Sequence, residues 1–410
     1  MSTQPKTKPA TGGFAANGRV RDVDISTADM ASDAQESYQR AKSTIFQGTP
    51  EASASKRVLR ASLLWIYFWT CVFILAITQY IGAPLYLIKK DYYYRYMAFT
   101  KQGMALLVLS MTQWWTSTKV HVSGNESVKD QIRMLADGRV ESTFADRFVL
   151  IANHQMYNDW VYLWWTAYIN KLHGYVYIVL KDSIKYIPIV GFGLRMAGFV
   201  FMSRKMKTDQ PRLTHRLAQL TRKESAGRRA PMWLLMFPEG TNLSSNGRAA
   251  SVKWAKRQDI ADLKYQLIPR STGTYFCLKG LENTVEWVYD CTLAYDGVPE
   301  GQYGQDIFTL RSTYVDGHPP PIHMHWRRFA VSSIPLSSLE EFDDWLQKRW
   351  LEKEKLLETH AMTGHFPSSL PGGKPLTTDV RLGHWSELWR IGGILATVVT
   401  TFTVLSKLLV

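Results

Sequence analysis

The 410-residue sequence predicts an α/β protein: a mixed, largely parallel sheet flanked by helices, with N-terminal membrane helices and a C-terminal transmembrane helix. Three observations carry this. Short runs are continuously apolar, namely 148–152 (FVLIA), 175–180 (YVYIVL), 198–202 (GFVFM) and 233–237 (WLLMF). Such runs read as strands buried on both faces, as in a sheet covered by helices. Segments of helical length and composition, 160–171 and 210–222, alternate with them. Uncharged stretches long enough to cross a hydrocarbon core lie near both ends.

Taken in order, residues 1–58 are rich in Ser, Thr, Ala and Gly and lack an apolar segment near Met1, which predicts a disordered cytosolic tail rather than a cleaved signal. Residues 59–120 are expected to hold membrane-anchoring helices. The run 63–88 contains no charge and is flanked by Lys56, Arg57 and Arg60 on one side and Lys89 and Lys90 on the other. These similar counts leave its orientation open. Gly82 and Pro84 can break or kink it near the far end. The shorter run 104–115 ends in a Trp pair and reads as an interfacial helix beside the first. Residues 121–335 form the α/β domain, to which 287–294 and 323–329 add further strands. Residues 336–386 read as a helical segment and linker. Residues 387–410 read as the C-terminal span, interrupted only by Lys407 within 391–410 and preceded by Arg381 and Arg390, which favour a cytosolic central domain.

Composition narrows the partners. The formal net charge is +14, so an anionic partner is expected, and 15 tryptophans favour a membrane surface over nucleic acid. No zinc finger or basic zipper is present, and a nucleic-acid binder would leave the apolar spans without a use. The three cysteines, Cys71, Cys277 and Cys291, form no even framework and are expected to be reduced.

Polar motifs follow the apolar runs. The first is N-H-Q-M-Y-N-D-W at 153–160. On one regular helix His154 and Asp159 would stand about 140° apart around the axis. With His154 in the strand-to-helix turn and Asp159 in the first helical turn, the carboxylate can reach one imidazole nitrogen and leave the other to take a proton. That is the base and orienting half of a triad, sufficient where the substrate brings its own hydroxyl. By itself the spacing is common, and a satisfied structural pair looks the same. The second motif, F-P-E-G-T-N at 237–242, is a tight turn whose Thr241, Asn242 and free amides suit phosphate or hydroxyl oxygens. Glu239 is out of place beside a phosphate unless it accepts from a hydroxyl or orients a basic neighbour. Arg204 in F-V-F-M-S-R-K, Lys181 after Y-I-V-L, and Pro269 and Arg270 in L-I-P-R-S-T-G complete the pattern. Ligands of α/β sheets collect outside the carboxyl ends of strands. A base, a turn with free donors and several cations gathered there describe an anionic alcohol being deprotonated.

In this order the motifs resemble the glycerolipid acyltransferase family that includes lysophosphatidic acid acyltransferases. The details N-H-Q-x-x-x-D-W, F-P-E-G-T-N-L-S, L-I-P-R-S-T-G and V-Y-D-C-T-L-A-Y look closer to its lysocardiolipin and lysophosphatidylinositol acyltransferase branch. The likeness covers about residues 60–335, and four ordered motifs make it specific. It implies that His154 is the catalytic base and Asp159 its orienting partner. It implies that Arg204, Glu239, Gly240 and Thr241 serve the acyl acceptor, and that Pro269 belongs to the motif associated with the acyl donor. The chain departs from the pattern at Arg270, where many members are apolar, so Arg270 is left to a phosphate of either substrate. The implied reaction joins an acyl group from acyl-CoA, a co-substrate and not a cofactor, to a free hydroxyl of a lysophospholipid. The expected place is the endoplasmic reticulum membrane, with the catalytic domain on the cytosolic face.

Other classes have identifiable signatures. A lipase or thioesterase would carry a nucleophile elbow, and the sequence has no G-x-S. A CoA-independent transacylase shares the His–Asp requirement and stays open, as does an inactive membrane scaffold of the same fold. No metal site is expected: His318, His323 and His325 have no carboxylate or cysteine spaced with them. G-F-G-L-R-M-A-G at 191–198 misses the dinucleotide fingerprint because Met196 replaces its third glycine. Asn242-Leu-Ser fits a glycosylation sequon but is read as part of the site turn.

Overall fold

A computed structural model describes residues 53–203 and 205–408 of the chain. The tail expected at 1–58 falls outside the described residues as far as residue 52, and so does Arg204. Helix α1, Ala54–Gly82, is capped by Ser53, whose Oγ accepts the Lys56 N–H at 3.4 Å. It stops where the sequence places Gly82 and Pro84. Gly82 has no room for a side chain because the Tyr96 ring lies against it, and proline cannot extend the hydrogen-bond ladder inside a helix. A single turn, Leu85–Ile88, leads into helix α2, Lys90–Met111. The bonds Tyr67 Oη–Ser110 Oγ (2.8 Å) and Tyr96 O–H to the Thr78 carbonyl (2.7 Å) show that α1 and α2 run antiparallel.

The two helices differ in burial. Much of α1 is bare, with Trp65, Ile66 and Ile77 exposed. The stretch Ala54–Ile88, 35 residues, contains an apolar run long enough to cross a bilayer. In α2, by contrast, Leu106, Leu107 and Leu109 are buried inside the protein. The run 104–115, expected at an interface, is therefore the inner half of α2 followed by the π-helical turn Thr112–Thr116.

The chain then alternates as anticipated. Strand β1 is Lys119–Gly124, and β2 (Ile132–Met134) pairs with β3 (Val140–Ser142) as a separate hairpin. There follow β4 Arg147–Ala152, α3 Asp159–Ile169, β5 Val176–Lys181, α4 Val190–Met196, β6 Val200–Met202 and α5 Met206–Thr221. Next come β7 Met232–Met236, α6 Ser245–Gln258, α7 Ser271–Leu281, β8 Trp287–Tyr295 and β9 Ile322–Ala330. Residues 336–386 supply helix α8, Leu339–Thr363, and strand β10, Leu376–Asp379, so this segment joins the sheet instead of merely linking it. Helix α9, Trp389–Leu408, ends the described chain. The stretch Trp385–Ser406 is again apolar and long enough to cross a bilayer.

Eight strands form one sheet in the order β10-β1-β9-β8-β4-β7-β5-β6. Strands β8, β4, β7, β5 and β6 are parallel, β9 is antiparallel to β8, β1 is parallel to β9, and β10 is antiparallel to β1. Five carboxyl ends thus share one edge, with β4 between β8 and β7 and Phe148–Ala152 buried. Val149, Ile151, Leu234 and Val288 meet Leu213 and Leu217 of α5, Leu278 of α7 and Phe342, Leu346 and Trp350 of α8 in one core. Helix α8 is also tied down by charge. Lys353 donates to the Cys291 carbonyl at 2.7 Å and pairs with Asp290, which Arg327 Nε also bonds at 2.8 Å. Burial works against the Asp290 carboxylate, but Lys353 and Arg327 outweigh it and hold the carboxyl below its usual range.

Candidate active site

Strand β4 leaves the sheet at Asn153, and the side chain of that residue replaces the backbone pairing that is lost. Its Nδ2 donates to the Leu293 carbonyl (2.9 Å) and its Oδ1 accepts the Leu293 N–H (2.8 Å), which keeps the end of β4 bonded to β8. The chain turns through residues 154–158 and enters α3 at Asp159, the first helical residue. The buried Asp159 carboxylate folds back as the sequence reading requires. Its Oδ2 accepts His154 Nδ1 at 2.8 Å and the N–H groups of Gln155 and Met156 at 2.6 and 3.0 Å. A carboxylate can only accept here, so Nδ1 carries the proton and Nε2 presents a lone pair. The His154 ring stacks on Phe237 (centroids 4.2 Å apart, 20° between planes) and its side chain stays 20% exposed. The other oxygen of Asp159, Oδ1, accepts the Tyr295 hydroxyl at 2.6 Å, from the last residue of β8. Burial, reinforced by the Asp159 charge, pushes the Tyr295 pKa well up, so the phenol stays a donor.

The second motif turns directly after β7. The Gly240 N–H donates to the Phe237 carbonyl at 2.9 Å, and Gly240 takes φ +73°, a conformation that side-chain-bearing residues rarely adopt. The turn points Glu239 inward, where it is 3% exposed. Its Oε1 accepts the His154 N–H (3.2 Å) and its Oε2 the Leu267 N–H (3.4 Å). Glu239 therefore braces the His154 loop against the 265–270 segment and does not present its carboxylate to solvent. Burial pushes its pKa up to about 8, against the pull of those two backbone donors. Backbone bonds stitch the same loops: Leu243 N–H to the His154 carbonyl (2.7 Å) and Arg270 N–H to the Pro238 carbonyl (2.8 Å).

The remaining expected residues divide. Pro269 is buried, while Arg270 is exposed at the N-terminus of α7 with its stem beside Gly240, where an added Cβ would lie 3.9 Å from Arg270 Cδ. Thr241 is half-buried, its hydroxyl 3.4 Å from Asn242 Oδ1. Asn242 bonds the Gln305 side chain. Lys181 is exposed at the end of β5, on the same sheet edge but two strands from β4. His154, Asp159, Glu239, Gly240 and Arg270 are thus brought together. Tyr295, Asn153 and Phe237 are additions that the sequence reading passed over, although each sits at a strand end, where a ligand site was expected.

An apolar cavity of about 310 Å³ is lined by Trp160, the residue after Asp159, together with Trp164. Ile178 and Leu180 of β5, Leu107 of α2 and Leu75 and Ala76 of α1 complete its walls. The site can thus receive a hydroxyl at His154 Nε2, and the cavity an apolar chain.

Comparison with known proteins identifies relatives of the chain. Residues 119–278 match the family described as Acyltransferase, and residues 313–382 match the one described as Acyltransferase C-terminus. An uncharacterized acyltransferase of Schizosaccharomyces pombe is 34% identical over 335 residues, which is 80% of this chain and 93% of that protein. The 2-acyl-1-lysophosphatidylinositol acyltransferase of Saccharomyces cerevisiae is 34% identical over 69% of this chain and 79% of its own length. Lysocardiolipin acyltransferase 1 of Gallus gallus is 34% identical over 52% of this chain and 53% of its own. With a strand-end His–Asp pair in place and two relatives aligned over most of their length, the chain belongs to the acyltransferase family.

Proposed function

We propose that the chain is an integral-membrane enzyme that transfers a fatty acyl group from acyl-CoA to a free hydroxyl of a lysophospholipid. The observation that carries this reading is the 2.8 Å bond from His154 Nδ1 to the buried Asp159, which leaves Nε2 as a base at the carboxyl edge of the sheet. The relatives named for lysophosphatidylinositol and lysocardiolipin support the acceptor class.

In this mechanism His154 Nε2 takes the proton of the acceptor hydroxyl as its oxygen attacks the thioester carbonyl. The imidazolium that forms is held by Asp159. Collapse of the tetrahedral intermediate expels the CoA thiolate, which recovers the proton from Nε2 as the free thiol. The products are the ester and CoA, and the enzyme returns unchanged. Arg270 and the turn at Gly240 and Thr241 hold the acceptor phosphate, so that the hydroxyl arrives positioned. Arg204 is assigned to the same role on its motif alone. The cavity lined by Trp160 takes an acyl chain. The Ala54–Ile88 and Trp385–Ser406 stretches set the protein in a bilayer, and we assign it to the endoplasmic reticulum with the site on the cytosolic side, where acyl-CoA is available. The three cysteines, all buried and unpaired, fit a reducing compartment.

The deciding experiment is His154→Ala in purified membranes with labelled oleoyl-CoA and a panel of lysophospholipids, read by mass spectrometry. Loss of the base is expected to cost about 10²–10⁴-fold in rate. Undiminished transfer overturns the mechanism, and transfer without CoA or acyl-CoA overturns the donor assignment in favour of a transacylase.

A further inference from the structure

One cluster outside the acyl-transfer site has no part in the mechanism above. His121 of β1 and His323 of β9 are direct partners in the parallel β1–β9 ladder, and their rings stack at 4.4 Å. Asp296, the residue after β8, is fixed beside them by its N–H bond to the Pro321 carbonyl at 3.1 Å. His360 reaches in from the last turn of α8. The donor atoms of His121, Asp296 and His323 all lie within 4.8 Å of one another. Asp296 Oδ1 is 3.0 Å from His323 Nε2 and 3.4 Å from His360 Nε2. The carboxylate that the sequence reading found missing from the histidine strand is therefore Asp296, 27 positions before His323.

His323 and His360 are buried, and the Nε2 of each lies at pairing distance from the same Asp296 oxygen without the aligned geometry of a hydrogen bond. A cation at the centre would take both lone pairs and the carboxylate charge together. Bonds of about 2.0–2.1 Å in a tetrahedron set neighbouring donors about 3.4 Å apart, and 3.0 and 3.4 Å bracket that spacing. Thr377 Oγ1 engages His121 Nδ1 at 2.9 Å, an outer-shell contact that leaves Nε2 to offer. Phe366 covers one side, its ring 5.2 Å from that of His360, while the part-exposed Asp296 gives an ion access.

We propose that His121, Asp296 and His323 bind one late first-row divalent cation, that His360 completes the set from α8 through its approach to the Asp296 carboxylate, and that zinc fits the resulting N₃O set best. The ion fastens the end of α8 to β1, β8 and β9, one residue beyond Tyr295. Its role is structural, and it stands independently of the acyl-transfer mechanism.

The test uses the full chain in detergent, purified without a histidine tag, stripped with chelator and dialysed against zinc-buffered solution. Mass spectrometry of metals is expected to find about one zinc per chain, falling below about one fifth in Asp296→Asn and His323→Gln. Cobalt(II) is expected to give the visible bands of a tetrahedral site, and chelator to lower the Tm reversibly. His360→Gln, at a helix end, repeats the test should His323→Gln fail to fold. The proposal is overturned if the stripped wild-type chain takes up neither ion and its Tm ignores both, which leaves a metal-free His–Asp cluster. It is equally overturned if Asp296→Asn and His360→Gln bind as much metal as wild type.

Discussion

Tyr295→Phe isolates one hydroxyl of the site. The substitution keeps the ring and removes the O–H that donates to Asp159 Oδ1 at 2.6 Å. That oxygen is fully buried and has no other donor in the hydrogen-bond set described above, whereas Oδ2 keeps three. A hydrogen bond to a charged group contributes about 1.5–3 kcal/mol. If the loss falls on folding, the Tm drops by roughly 2–4 °C for a chain of this size. If it falls on the transition state, where Asp159 must hold an imidazolium in a fixed orientation, kcat drops roughly 10- to 150-fold. The phenol touches no substrate in this mechanism, so the acceptor KM is expected to stay within about twofold. The assay is steady-state transfer from acyl-CoA to lysophospholipid in detergent, run beside thermal unfolding of the same preparation. An unchanged kcat with a lowered Tm would refute a positioning role and leave Tyr295 as a strut of the fold.

Three further outcomes follow from the geometry. Glu239, raised to about 8 from 4.5, keeps a proton in the folded state that the unfolded chain releases above pH 4.5. Unfolding therefore releases a proton between these values, and the stabilisation is full below pH 4.5 and lost as pH rises to 8. Glu239→Gln is expected to flatten Tm against pH in that window, by at most about 5 kcal/mol, and an unchanged slope counts against the buried carboxyl. Lys353→Met strands Asp290 beside Arg327 in the core and is expected to cost about 3–5 kcal/mol, read by calorimetry; Asp290→Asn in the same chain restores part of it. Ala76→Phe reduces the apolar cavity and is expected to shift preference roughly tenfold from oleoyl- toward octanoyl-CoA, measured as the ratio of kcat/KM values.

The parallel core of the sheet was legible because strands buried on both faces have to be apolar throughout, as in the runs ending at Ala152 and Met236. The edge was not. Strand β1 (KVHVSG) and β10 (LTTD) carry polar residues, and β10 pairs on one side only, so neither shows the continuous apolar signal of a central strand. The His154–Asp159 pair was legible from spacing because both residues belong to one turn. Tyr295 was not, because its bond spans 136 positions and depends on which strand lies beside β4. The contacts of Glu239 were not legible for a related reason. The sequence showed only that a glutamate is out of place beside a phosphate unless it accepts from a donor, and the donors, the N–H groups of His154 and Leu267, come from other segments. The run 104–115 was read by its hydropathy and its terminal Trp pair, neither of which distinguishes a helix facing lipid from one facing its own domain.

Helix α1 gives the cavity beside Trp160 a wall, with Leu75 and Ala76 on its inner side and Ile77 bare on its outer. An anchor could be exchanged for any other apolar helix, but a wall cannot. Cutting the chain after residue 88 to make a soluble enzyme would open the chamber along its length and expose Leu107 and Trp164 to water. Docking of α1 and formation of the chamber are then one event.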